Sequence, residues 1–150
     1  MKNLFILFVT TLLLFSCKKK ENAIEEPPKM EMTSSFIPTG CYVFNDTKNV
    51  ISFEITDNKS EIKGLLAYSF AEKDRNSGNF VGQLNNGILI GTYTFQSEGT
   101  ESTRQVAFKI NGNKLLEGYG EMNADGTTFK DTNSLTFPND MPLIKTPCSQ

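Results

Sequence analysis

Histidine and tryptophan are both missing from the 150 residues, cysteine appears three times, and no run of basic residues exceeds three. Without histidine the chain lacks the commonest general base, the commonest transition-metal ligand and the partner in Ser-His or Cys-His catalysis. Zinc hydrolase chemistry is thereby set aside, and neither a metal nor a cofactor is expected. The net charge of −2 leaves no basic face able to displace counterions from phosphates, so nucleic acid is excluded as a partner. The longest apolar run, Leu4 to Phe15, would span about 18 Å as a helix, against about 30 Å of hydrocarbon. It is too short to stay in a membrane.

That run follows Met1-Lys2-Asn3 and closes on Leu14-Phe15-Ser16-Cys17, with Lys18, Lys19 and Lys20 directly behind. The arrangement resembles a bacterial lipoprotein signal, whose cleavage-site cysteine accepts the lipid. Phe15 departs from the strict pattern, where small or β-branched residues are commoner. Loose signals with an aromatic here and a lysine-rich mature start resemble those of Bacteroidota lipoproteins. The resemblance implies lipidation of Cys17, palmitate among the acyl chains, and a lipid-anchored place in the cell envelope, at the outer membrane. No activity is inherited with it. The lysine run beside the lipid could meet anionic headgroups, at about 1 kcal/mol per charge, or stand solvated.

Losing residues 1–16 takes Lys2 away, so fourteen basic side chains face seventeen acidic ones in the remaining 134 residues. That length suffices for one domain with its own core. Residues 17–39 read as a lipidated cysteine and flexible tether: Pro27, Pro28, Ser34, Ser35 and Pro38 interrupt it, and no apolar period is sustained. A coil of this length holds a domain about 25 Å from its anchor. Residues 40–150 form the domain. Cys41 and Cys148, the remaining pair in an oxidising compartment, are expected to be bridged; the alternative is two buried thiols.

From Cys41 onward short period-two runs are bounded by Asn, Asp and Gly. Ile51, Phe53 and Ile55 alternate with Ser52, Glu54 and Thr56; Ile62 to Phe70, Phe80 to Leu84, Leu89 to Phe95 and Val106 to Ile110 follow suit. Leu116, Gly118, Gly120 and Met122 are read as the inward face of the next strand, with Glu117, Tyr119 and Glu121 outside. Leu135 with Phe137 makes the last. The class is all-β: an eight-stranded antiparallel meander forming a small lipocalin-like barrel or a strongly bent sheet.

In such a meander the tight turns Asp57-Asn58-Lys59, Asn85-Asn86-Gly87 and Asn111-Gly112-Asn113 fall at one end, together with both cysteines. The longer loops, Asp46 to Asn49, Glu72 to Gly78, Gln96 to Ser102 and Asn123 to Gly126, crowd the other. Gly64, Gly82, Gly91 and Gly118 recur on the inward face, as coiled sheets packed under aromatic rings require. The stretch Phe80-Val81-Gly82, Gly87, Gly91-Thr92-Tyr93 resembles one unit of the membrane-occupation (MORN) repeat, echoed partially by Gly118-Tyr119-Gly120 with Gly126 and Phe129. The units are not in tandem, so the spacing is read as hairpin convergence.

Candidate chemistry gathers on the long-loop rim. Arg75, held by Asp74 and Glu72, could grip a carboxylate or phosphate bidentately, against the plain reading of a solvated loop with weak surface ion pairs. Glu98, Glu101 and Arg104 adjoin the next loop and could converge with that cluster. Paired carboxylates there lack a fixed separation, so no catalytic residue is expected and the chain is read as a non-enzyme. Asp125-Gly126 is a hairpin turn and lacks the ligand spacing of a calcium loop. Two functions stay open: a binding module whose barrel mouth or rim takes a small hydrophobic molecule or an envelope protein, and an interaction factor, such as an inhibitor or assembly accessory, working through loops on a filled barrel.

Overall fold

The computed structural model describes residues 36–73, 75–97 and 99–148. Eight antiparallel strands run β1 Gly40–Asn45, β2 Val50–Asn58, β3 Ile62–Ser69, β4 Asn76–Asn85, β5 Ile88–Ser97, β6 Thr100–Asn111, β7 Lys114–Gly118 and β8 Leu143–Thr146. Each pairs with its chain neighbour, and β8 returns to β1 with Tyr42 opposite Lys145, so the meander is a closed barrel without a free sheet edge. The only helical turn among the described residues is a 3₁₀ segment, Thr132–Ser134, N-capped by Asp131.

The alternation of apolar and polar residues sets which face each strand turns inward. Ile51, Phe53 and Ile55 of β2, Ile62, Leu66 and Tyr68 of β3, Phe80 of β4, Leu89 and Tyr93 of β5, and Val106 and Phe108 of β6 are buried together. Phe53 lies 5.0 Å from both Phe80, edge-on, and Phe108. Three rings therefore fill the lower barrel. Gly82 and Gly91 face each other across β4 and β5 beneath this cluster. A Cβ on Gly82 would stand 2.6 Å from the Phe80 ring and one on Gly91 2.5 Å, so glycine lets the ring lie against the sheet. A register shift between Ile55 and Asp57 adds local coil to β2.

The turns divide the two ends as expected. Asn86 (φ 50°) and Gly87 (φ 76°) make a two-residue hairpin between β4 and β5, a backbone that asparagine and glycine adopt cheaply. Cys41 and Cys148 are disulfide-bonded at this same end, with Cα atoms 5.1 Å apart. Ile37 belongs to the core although it was expected in the tether: it is 1% exposed. Its carbonyl accepts from Asn58 Nδ2 at 2.9 Å, and the neighbouring Pro38 carbonyl accepts from the Tyr42 hydroxyl at 3.1 Å. These residues plug the tight-turn end. The signal, Cys17 and the rest of the expected tether lie outside the described residues.

The other end departs from expectation in three ways. Gln96 to Ser102 is not a long loop, because β5 and β6 continue as a ladder to Ser97 opposite Thr100. Leu135 and Phe137 are not a barrel strand; they belong to a strap, residues 119–142, that crosses the outer face before β8 begins at Leu143. The strap is fastened by reciprocal bonds between Tyr119 and Thr136, by Gln105 donating to Thr127, and by Phe129 donating to the Gln105 side chain.

The third difference is the phase of β7. Leu115 and Glu117 face inward, opposite Ile110 and Phe108, while Leu116 and Gly118 face out. The strap covers that outer face, and a Cβ on Gly118 would stand 2.6 Å from the Phe137 ring. Both faces of β7 are therefore apolar in places. Gly64, Gly82 and Gly91 are inward as expected, and Gly118 is not.

Candidate binding site at the barrel mouth

Above the Phe53 cluster the barrel interior becomes polar. Tyr68 of β3, Asn76 of β4, Tyr93 and Phe95 of β5, Arg104 of β6 and Glu117 of β7 continue the inward alternation toward the long-loop end. The Arg104 guanidinium carbon lies 5.0 Å from the centre of the Tyr68 ring, 5.6 Å from Phe95 and 5.7 Å from Tyr93. Tyr93 and Phe95 are stacked at 4.8 Å, and Tyr68 meets Tyr93 edge-on at 5.8 Å. A cation over an aromatic face gains about 0.5 to 2 kcal/mol, more as water is excluded. Three such faces fix where the guanidinium sits.

Glu117 is held differently. Tyr68 donates its hydroxyl to Oε1 at 2.7 Å and Tyr119 donates to Oε2 at 3.2 Å. Burial raises the Glu117 carboxyl above its ordinary range, opposed by the Tyr68 hydrogen bond and then by the Arg104 charge. Burial likewise lifts Tyr68 well above the usual phenol value, reinforced by the Glu117 charge, and pushes Tyr93 up to about 12. In all three the largest cause is the burial of the group itself.

Three polar atoms here are buried without a protein hydrogen-bond partner: Arg104 Nε, the Tyr93 hydroxyl and Asn76 Oδ1. Among the described residues no carboxylate lies within 4.0 Å of Arg104. Two cavities open on this group. The larger, about 660 Å³, is lined by Tyr68, Phe70, Glu72, Lys73, Asn76 and Arg104, with Ser97 at its edge. The smaller, about 350 Å³, shares Tyr68, Phe70 and Arg104 and runs under the strap past Val106, Met122 and Phe129. A separate groove of about 480 Å³ lies outside the barrel over Ser52, Ala67 and Ser77. It has no charged side chain except Glu54.

Of the residues expected on the rim, the structure brings Arg104 and Glu72 to one cavity but places them unlike the expected cluster. Arg104 points into the barrel, and Glu72, exposed at φ 62°, stands at the outer lip. Arg75 is exposed and does not line the mouth. Asp74 and Glu98 lie outside the described residues. Glu101 is on the outer face beside Gln96, at 3.5 Å. Asp125 closes a hairpin turn, accepting from the Thr127 amide at 2.9 Å, as the Asp-Gly pair implied. Glu121 and Tyr119 do not form one outer row with Glu117: Glu121 pairs with Lys130 on the strap, and Tyr119 reaches back to Glu117. Cys41, Glu54 and Cys148 form the one group close enough to share a metal ion among the described residues, but their two sulfurs are bonded to each other.

Reading the sequence overlooked Tyr68, Asn76, Tyr93 and Glu117 as a polar site. The signal was present for Asn76, which extends by steps of two the inward row ending at Phe80, just as Arg104 extends the row ending at Val106. The class this defines is an eight-stranded antiparallel barrel, packed below and open above around a caged arginine. Compared with known proteins, the chain matches no family model, no curated protein and no solved structure. Among the described residues no helix is long and apolar enough to cross a membrane.

Proposed function

We propose that this chain is a membrane-anchored envelope lipoprotein that acts by binding a small molecule in the mouth of its barrel. The observation that carries the reading is the caged Arg104 with its unmatched neighbours, opening on two cavities at one end of a rigid ring. Ligand sites share this concave form, a few convergent polar atoms and a volume of some 300 to 1,000 Å³, and the cavity under the strap adds an apolar wall. The lipidated-cysteine pattern at Leu14 to Lys20 supplies the anchor. Binding without turnover suits a site with no histidine, where both oxygens of Glu117 are held by tyrosine hydroxyls.

The second reading, a protein-interaction factor, draws on the ring cluster that fills the lower barrel and on the exposure of Arg75 at the rim. Native mass spectrometry of the chain purified from its membrane separates the two. Binding in the mouth predicts an acylated Cys17 and a co-purifying small molecule, lost when Asn76→Trp fills the larger cavity. A bound molecule that survives this substitution, or a water-soluble product with Cys17 unmodified, defeats the corresponding half of the proposal. For the second reading, replacing the exposed Arg75 should reduce partner capture without lowering the melting temperature.

A further inference from the structure

We infer that the mouth selects a compact organic carboxylate with a flat apolar body that also carries a hydrogen-bond donor, Arg104 being the anion anchor. This rests on the mouth-binding reading and specifies its ligand. The guanidinium is faced by three rings, at 5.0 to 5.7 Å, so what it has to offer a ligand is the edge that carries its N–H groups. A carboxylate matches that edge with two parallel hydrogen bonds, and a guanidinium is the side chain shaped for it. Arg104 Nε lies on this edge, buried and unmatched.

Among the described residues no carboxylate pairs with Arg104. Glu117, which lines the strap-side cavity with Arg104, has one oxygen engaged by Tyr68 and the other by Tyr119, and Glu72 stands at the outer lip. Lys73 and Glu72 line the lip of the same cavity with opposite charges, so Arg104 sets the net positive charge inside it. Tyr93 is fully buried with its hydroxyl unmatched, a further polar group within the cage. Asn76 Oδ1 is an acceptor on the cavity wall, so the complementary body carries an O–H or N–H.

Size and shape narrow the class. The cavity under the strap, about 350 Å³, holds about a dozen water volumes and therefore about as many heavy atoms. Its wall of Val106, Met122, Phe129 and Tyr119 suits a ring or short chain. Below Arg104 the interior is occupied by Phe53, Phe80 and Phe108, which leaves no channel for a long acyl tail.

The test is calorimetric titration of the full-length chain in detergent with 4-hydroxyphenylacetate, its primary amide, phenylacetate and inorganic phosphate, with the Tyr68 and Tyr93 ring signals followed by NMR. The hydroxy acid should bind about tenfold to hundredfold more tightly than the amide, the span expected when a hydrogen bond to a charged group is lost. Arg104→Gln should bring the acid down to the amide's affinity, and Arg104→Lys should fall between them. Asn76→Leu, which leaves Arg104 intact, should weaken the hydroxy acid and spare phenylacetate. An amide as tight as the acid, with the tyrosine rings still shifted, overturns the carboxylate assignment and leaves the mouth as a binding site. Phosphate binding as tightly as the hydroxy acid overturns the flat body. If no compound moves the rings, this inference falls, while the co-purification experiment still decides the broader reading.

Discussion

Arg104 and Glu117 meet the cost of a charge in a barrel by different means. The guanidinium, weakly hydrated and planar, rests among rings, whereas the carboxylate takes two phenol hydroxyls. Removing one of those hydroxyls should be costly, because the acid stays buried with half its partners. Tyr68→Phe is expected to destabilise the fold by about 1.5 to 3 kcal/mol in urea titration, the range for hydrogen bonds to charged groups. Glu117 also gives the molecule a pH dependence with a definite sign. Its native carboxyl holds a proton more tightly than the ordinary value of 4.5, so the native state is favoured below that value and loses ground as pH rises through the raised one. Glu117→Gln removes this contribution. Compared with the parent chain, the variant should therefore gain in relative stability as pH rises above the ordinary carboxyl value, read as the difference in urea midpoints. A difference that stays constant would place Glu117 in water.

At the scale of the strand, close approach governs. Gly82 tolerates no side chain, since a Cβ there would meet the Phe80 ring at 2.6 Å and the Gly91 backbone at 2.7 Å. Gly82→Ala should cost about 1 to 3 kcal/mol by overpacking. Gly112 gives the contrast: at φ 61° a Cβ would meet nothing within 4 Å, so its restriction is purely conformational. Gly112→Asn should melt close to the parent and Gly112→Ala distinctly lower, because asparagine tolerates the left-handed region better. Thermal melts of the three variants distinguish crowding from backbone strain.

The same elements show what could be read from the chain before its fold was known. β2 to β6 were legible because one face is wet, so the alternation between apolar and polar residues survives in the sequence. β7 was read in the wrong phase because Leu115 packs inside and Leu116 lies on the side that the strap covers, leaving adjacent apolar residues with no polar marker between them. Ser97 and Thr100 looked like loop because Gln96 to Ser102 is polar. Those residues pair beyond the reach of the core, where hydrogen bonds sustain a ladder that burial does not mark. β8 is four residues long with one buried side chain, too little pattern to recognise. The site was half visible: Arg104 was singled out, and Tyr93 stands opposite it on β5, but Tyr68 joins the cage only because the closed barrel brings β3 to face β6.

For the whole molecule, the decisive step is the return of β8 to β1. That seam is only three residue pairs long, and β7 meets β8 over two. The Cys41–Cys148 bridge spans 107 positions and fastens the seam at its outer end. Restricting an unfolded loop of this length contributes about 4 to 5 kcal/mol in the chain-entropy description. Reduction, or paired Cys41→Ser and Cys148→Ser replacement, should lower the urea-unfolding free energy by up to that amount. The loss of protection from hydrogen exchange should appear first at β1 and β8.

The position of that bridge also determines how the barrel bears tension. β1 starts and β8 finishes at the same pole, so a pull on the chain ahead of Cys41 is handed across the sulfurs to the far terminus instead of to β1 alone. Peeling β1 away then drags β8 with it, and the β1–β2 and β7–β8 ladders must rupture together. A tug at that point is thus shared by two zips.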